Sequence, residues 1–219
     1  MGEKTRKNFC AAGCWMLAFI AWTALVRYVD VQAIGPNGSA VGLASVNGPF
    51  HRLTGVHMQL YTVTDWLGLV PLLVALGFAL LGLMRAIKRR SLLRADPDLW
   101  MLGGFYIAVL AAYVLFEKNV INYRPVLIDG VLEASYPSST TLLTLCVMPT
   151  AMMQLHQRIK NRTVRLAVLS AALAFTVFMV MGRTISGVHW LTDIIGGVLL
   201  SGGLTTMYYS AQNIGKPGR

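Results

Sequence analysis

Six apolar runs of roughly membrane-spanning length dominate this chain, at approximately 9–29, 57–84, 99–117, 138–157, 164–182 and 189–209. As a helix rising 1.5 Å per residue, each is long enough to cross a hydrocarbon layer about 30 Å thick. The runs are continuous instead of alternating, which argues against a strand-built barrel. Of the 219 residues, 55% are hydrophobic and only 13% are charged, against about 25% charged in soluble domains. The chain therefore reads as all-α, a polytopic membrane protein folded as a six-transmembrane-helix bundle. A single membrane-embedded domain is expected over 1–219. Within it, 1–56 supply the N-terminal helix and an outer loop, 57–209 the bundle that carries the candidate site, and 210–219 a cytoplasmic tail.

The formal net charge of +10 does not indicate a nucleic-acid partner, because fourteen of the nineteen Lys and Arg residues segregate to one side of these spans. Lys4, Arg6 and Lys7 precede the first run, and Arg85, Lys88, Arg89, Arg90 and Arg94 follow the second. Arg158, Lys160, Arg162 and Arg165 lie between the fourth and fifth, and Lys216 and Arg219 end the sequence. The positive-inside rule then places both termini and these loops in the cytoplasm, with membrane lipids, including anionic headgroups, as neighbours. Arg27, Arg52, Lys118, Arg124 and Arg183 fall on the outer side, where basic residues are disfavoured and ask for a reason.

Several local features refine this picture. The basic start and apolar run at the N-terminus resemble a signal peptide, but the run is too long and lacks a small-x-small cleavage site, so it is kept as a helix. Cys10, Cys14 and Cys146 offer neither a disulfide framework nor metal-ligand spacing and read as packing residues. The second run opens weakly apolar between His57 and Asp65, so its helix begins later or tilts. Asp96-Pro97-Asp98 starts the third helix, and Pro71 and Pro149 are positioned to kink the second and fourth. Gly103-Gly104, Gly196-Gly197 and Gly202-Gly203 are sites for close helix contact. The 30–56 segment reads either as a plain connector or as an interfacial cover for a lipid entrance.

The chemistry-bearing residues converge on the outer side. Gly182-Arg183-Thr184-Ile185-Ser186-Gly187-Val188-His189-Trp190-Leu191-Thr192-Asp193 places an Arg, a His and an Asp between the fifth and sixth runs. If residue 189 opens a helix, His189 and Asp193 share a face. Upstream, Lys118 and Arg124 add two cations, and Ser138, Ser139 and Thr140 fall at the start of the fourth helix, where free N–H groups suit either a cap or a phosphate. Read singly, Arg183 could snorkel and His189 with Asp193 could be a structural pair. Read together, three cations, helix-start hydroxyls and a His–Asp pair on one face suit phosphoryl transfer.

These motifs resemble the type-2 phosphatidic acid phosphatase superfamily of membrane lipid phosphatases. Arg183, five residues, His189, three residues and Asp193 reproduce the spacing of its third motif, and Lys118 with Arg124-Pro125 and Pro137-Ser138 partly match the first two. The resemblance covers the chain from about residue 57 onward. It implies that His189 is a nucleophile forming a phosphohistidine and that Asp193 fixes its tautomer. It implies further that Lys118, Arg124, Arg183, Ser138, Ser139 and Thr140 surround the phosphoryl oxygens. Neither a metal nor a cofactor is implied, since the protein supplies the cations. The implied substrate is a lipid phosphate, or a polyprenyl diphosphate turned over at the outer face of a bacterial plasma membrane.

Three departures accompany the match. Five residues separate Lys118 from Arg124 where the family has six, and on a helix one missing residue turns Lys118 by about 100°. Gly182 replaces the Ser before the third-motif Arg. Thr140 stands where the family's second motif has the His that protonates the leaving oxygen, and a hydroxyl has no comparable acidity. Three readings stay open. The leaving group is a diphosphate that needs little protonation; or His51, His57, Asp129 or Glu133 supplies the proton; or the chain binds lipid phosphates with little or no turnover. A lipid phosphotransferase is a further alternative. Headgroup, tail and oligomeric state are not legible.

Overall fold

The computed structural model describes residues 2–88 and 97–214. Arg89, Arg90, Arg94, Asp96, Lys216 and Arg219 lie outside the described residues. Eight α-helices occur within them: α1 (Glu3–Tyr28), α2 (Ala44–Thr54), α3 (Met58–Leu67), α4 (Leu69–Lys88), α5 (Pro97–Lys118), α6 (Ser139–Arg158), α7 (Arg162–Ile185) and α8 (Leu191–Gln212). Among the described residues there are isolated bridges, such as Tyr123 with Ala134, but no named strand.

Four stretches are long and apolar enough to cross a membrane: Glu3–Tyr28, Met58–Lys88, Pro97–Lys118 and Arg162–Ile185. The predicted fourth and sixth spans exist as α6 and α8, but neither reaches that apolarity. The cause is position. Both run through the middle of the bundle, where buried Thr140, Thr141, Thr144, Thr150 and Gln154 of α6 and Thr192, Asp193, Ser201 and Ser210 of α8 face protein. A helix shielded by other helices can carry polar residues that a lipid-facing one cannot.

Small residues let these central helices approach. A Cβ on Gly197 would fall 3.2 Å from the Ser138 carbonyl oxygen, and one on Gly203 would fall 2.6 Å from the Met16 sulfur of α1. Gly103 and Gly104 meet nothing comparable, so the expected close contact there is absent. Pro149 cannot donate to Leu145, and that freed carbonyl accepts instead from Thr205 Oγ1 of α8 at 3.3 Å. Pro71 falls in the first turn of α4, where no helical donor is lost. The weakly apolar start of the second run is α3, divided from α4 at Gly68.

α6 and α8 run parallel. Their N-termini therefore lie at the same end as the C-termini of α5 and α7. The segment before α3 is fastened to that end. Buried Asn47 on α2 donates to the Gly42 carbonyl at 2.8 Å and to Thr192 Oγ1 at 2.9 Å, while its Oδ1 accepts from Thr192 N–H at 3.2 Å. His57 N–H donates to the Ser186 carbonyl at 2.9 Å, and the His51 ring nitrogen Nε2 pairs with the Gly187 carbonyl at 3.0 Å. Gly187, at φ 70, admits the Gly55 backbone where a Cβ would collide. The 30–56 segment is thus a docked brace and not a loose connector. Asn47→Ala removes three hydrogen bonds and strands a buried N–H at Thr192, which predicts a loss of about 1–3 kcal/mol. A detergent-solubilised Asn47→Ala protein that melts with the wild type refutes the brace.

Candidate active site

A cavity of about 580 Å³ opens where α3, α5, α6 and the α7–α8 connection meet. Tyr61, Asp65, Glu117, Arg124, Glu133, Ser135, Ser139, Thr140, Arg183 and His189 are among its lining residues. Arg124, Arg183 and His189, separated by up to 65 positions in sequence, are brought together as expected, and each is buried.

The two guanidinium groups define the floor. Arg183, 2% exposed, projects from the last turn of α7. Its Nη2 donates to Asp65 Oδ1 at 2.8 Å and to Thr140 Oγ1 at 2.5 Å. Arg124 Nε lies 3.0 Å from Glu133 Oε2, close enough for an ion pair but without hydrogen-bond alignment. The Tyr61 ring sits 5.0 Å from the Arg183 guanidinium carbon and 5.8 Å from that of Arg124. An aromatic face beside two cations eases their mutual repulsion. Even so, Arg124 Nη1, Arg183 Nε and Arg183 Nη1 are buried without a hydrogen-bond partner. Leaving charged donors buried and unsatisfied is costly. An anion in the cavity would satisfy them.

His189 lies in the connection before α8, which opens at Leu191; the helix-start expectation for residue 189 is corrected by two positions. Trp190 takes the cap position, and Asp193, at N3, accepts the Trp190 N–H at 2.9 Å. His189 Nδ1 is 3.8 Å from Asp193 Oδ2, beyond hydrogen-bond reach. Ser135 fills that gap. Its hydroxyl donates to Asp193 Oδ2 in a short contact and lies 3.1 Å from His189 Nδ1. A hydroxyl has one proton. With that proton given to Asp193, Ser135 must accept from the Nδ1–H of His189. The lone pair is then on Nε2, a buried atom without a hydrogen-bond partner on a residue that lines the cavity. Asn122 Nδ2 donates to the other Asp193 oxygen at 3.4 Å. Burial, followed by the Arg124 and Arg183 charges, pushes the His189 imidazolium well below its ordinary range, so the ring is held neutral. The arrangement presents an uncharged nucleophilic nitrogen beside donors for an anion.

The remaining predicted residues divide. Ser139 and Thr140 line the cavity at the first turn of α6, where N–H groups have no helical partner. Ser138 does not. Its N–H donates to the Asp193 carbonyl at 3.0 Å and its hydroxyl accepts from Thr141 at 3.1 Å, so it joins α6 to α8. Lys118 is exposed at the end of α5 and off the cavity, while its neighbour Glu117 lines it, in keeping with the altered spacing to Arg124. Of the alternative acids, Glu133 alone lines the cavity; His51 and His57 bond backbone carbonyls elsewhere, and Asp129 sits at a positive-φ turn. Ser135, Asn122, Tyr61 and Asp65 were not anticipated. Asp65 did leave a signal, being an acidic residue in an otherwise apolar run. Ser135 left none, because loop register has no periodicity to read.

The sequence profile of the PAP2 superfamily matches residues 68–215. No curated protein matches the chain. Among solved structures, the first transmembrane PAP2 type phosphatidylglycerolphosphate phosphatase, from Bacillus subtilis, is similar at 20% identity and a TM-score of 0.64, over 95% of this chain and 99% of that one. At this identity the likeness is one of fold.

The serine bridge has a spectroscopic signature. Nitrogen-15 NMR of histidine-labelled protein is expected to show His189 neutral and protonated on Nδ1 at pH 6, below the ordinary imidazole value of about 6.5. Ser135→Ala should mix the two tautomers. A cationic His189 at that pH, or an unchanged Ser135→Ala spectrum, sinks the assignment.

Proposed function

Because this chain belongs to the PAP2 superfamily, we propose that it is an integral membrane lipid phosphatase that hydrolyses a polyprenyl diphosphate or related lipid phosphate through phosphorylated His189. The observation that carries this reading is the ring of buried, unpaired groups on one cavity: Arg124 Nη1, Arg183 Nε and Nη1, and His189 Nε2. The three guanidinium nitrogens supply donors for phosphoryl oxygens, and the imidazole supplies a lone pair for phosphorus.

In the first half-reaction, Nε2 attacks the terminal phosphorus and its bond to the ester or bridging oxygen breaks, releasing the lipid alcohol from a monoester or the lipid monophosphate from a diphosphate. The imidazole becomes positive as the N–P bond forms, and the Nδ1–Ser135–Asp193 hydrogen bonds hold the ring and stabilise that charge without a proton leaving Nδ1. In the second, water displaces Nε2 and releases phosphate. Arg124 and Arg183 stabilise the oxygens in both steps, with the α6 N–H groups at Ser139 and Thr140, so the charge stabilisation comes from protein groups. Six spanning units, counting α3–α4 as one, support a bundle with both termini in the cytoplasm and the cavity opening on the outer side. The segregation of basic residues supports that orientation.

The test is phosphate release by purified protein with EDTA present, offering undecaprenyl diphosphate beside phosphatidic acid. His189→Ala is expected to lower release by at least about a thousandfold. Release that depends on an added alcohol would identify a phosphotransferase. Binding without release in folded wild type would identify a lipid-phosphate-binding protein.

A further inference from the structure

Thr140 leaves the second-motif position without an acid, but the structure does not leave that place without a carboxyl group. Arg183 Nη2 donates at once to Thr140 Oγ1, at 2.5 Å, and to Asp65 Oδ1, at 2.8 Å. One nitrogen shared by both oxygens puts the Asp65 carboxylate beside the Thr140 hydroxyl. Asp65 arrives from a different element, the last turn of α3. Gly68, which divides α3 from α4, approaches Thr140 closely enough that a Cβ there would touch the Thr140 methyl at 3.6 Å. The Asp65 side chain is about half exposed, at 55%, and lines the cavity together with His189. It can therefore meet a ligand, whereas buried Asp193 and Ser135 act through His189.

We propose that Asp65 is the catalytic acid and base of this site, occupying from α3 the place that a histidine on α6 would otherwise fill. The inference rests on the reading that His189 attacks phosphorus. In the empty site Asp65 is the counter-ion of Arg183. A bound monoester monoanion engages the Arg183 donors and carries one acidic proton of its own, which passes to the Asp65 carboxylate beside it. As the His189 Nε2–P bond forms and the ester P–O bond breaks, the Asp65 carboxyl passes its proton to the leaving oxygen. The resulting carboxylate then takes a proton from the water that attacks phosphorus as the N–P bond breaks. The products are an alcohol and phosphate; Asp65 hands the water-derived proton to the departing phosphate and returns to the carboxylate that pairs with Arg183 in the empty site. An acid so placed extends the substrate class from diphosphates, whose leaving group needs little protonation, to alkyl phosphate monoesters, whose leaving alkoxide needs it.

Two esters with the same tail separate the roles: dodecyl phosphate, and a dodecyl-substituted nitrophenyl phosphate whose phenolate leaves unprotonated. Asp65→Asn keeps an oxygen for Arg183 but has no proton to transfer. It is expected to lose at least about a hundredfold in kcat/KM on the alkyl ester and to stay within about fivefold of wild type on the nitrophenyl ester. Equal losses on both would overturn the proposal in favour of Asp65 as an anchor for Arg183. An unaffected variant, or the same selective loss in Glu133→Gln instead, would assign the proton elsewhere. His189→Ala must abolish both reactions; its failure to do so, or a wild type inert on both esters, counts against the hydrolase reading itself and removes the basis for an acid.

Discussion

The guanidinium of Arg183 is the constraint around which this end of the molecule is organised. A cation 2% exposed within a helical bundle is unstable unless its donors and charge are answered. Each nearby element contributes something. α3 gives Asp65 and the Tyr61 face, and α6 gives the Thr140 hydroxyl. Gly182, immediately before Arg183, lets α7 close on α3, since a Cβ there would fall 2.7 Å from the Thr64 methyl. Two donors nevertheless stay unanswered, on a side chain that lines the cavity with Arg124 and His189. Their satisfaction is deferred to a ligand.

The second organising point is the start of α8. Asn47, Trp22, Ser138, Ser135 and Asn122, from four separate stretches, all bond Thr192 or Asp193. This explains how His189, on a connection and not on a helix, is held in a defined orientation. Its own backbone is flanked by Ser186 and Gly187, which accept from His57 and pair with His51, and by Trp190, whose indole donates to the Tyr123 carbonyl at 2.7 Å. Rigid support of this kind is what the nucleophilic role proposed for His189 needs.

Much of this was legible in the sequence. The six apolar runs coincide with α1, α3–α4, α5, α6, α7 and α8 to within a few residues at most ends, because length and continuity of hydrophobicity survive any tertiary arrangement. Arg124, Arg183, His189, Ser139 and Thr140 were placed together by topology alone, since alternating spans must return their ends to the same face. What escaped was lateral. Run length does not show which helices lie inside the ring, so 138–157 and 189–209 read as spans like the other four. Helical phase at the end of α5 decides between Glu117 and Lys118, and a one-residue change in spacing reversed the expectation. Ser135 and Asp65 reach the site through a loop register and a helix break at Gly68, neither of which has a periodic signature.

The carboxylates of the cavity also bear on how it lets go of what it holds. An anion entering does not meet bare guanidinium groups, because Arg183 already carries Asp65 and Arg124 faces Glu133. Binding is therefore an exchange of one anion for another, and part of the attraction is spent displacing the resident carboxylate. The same exchange runs in reverse. In the proposed reaction, a phosphate left behind after its lipid has departed competes with two tethered carboxylates whose local concentration never falls. The site thus carries its own eluent, which limits how tightly a spent anion can remain and keeps the arginines from becoming a trap.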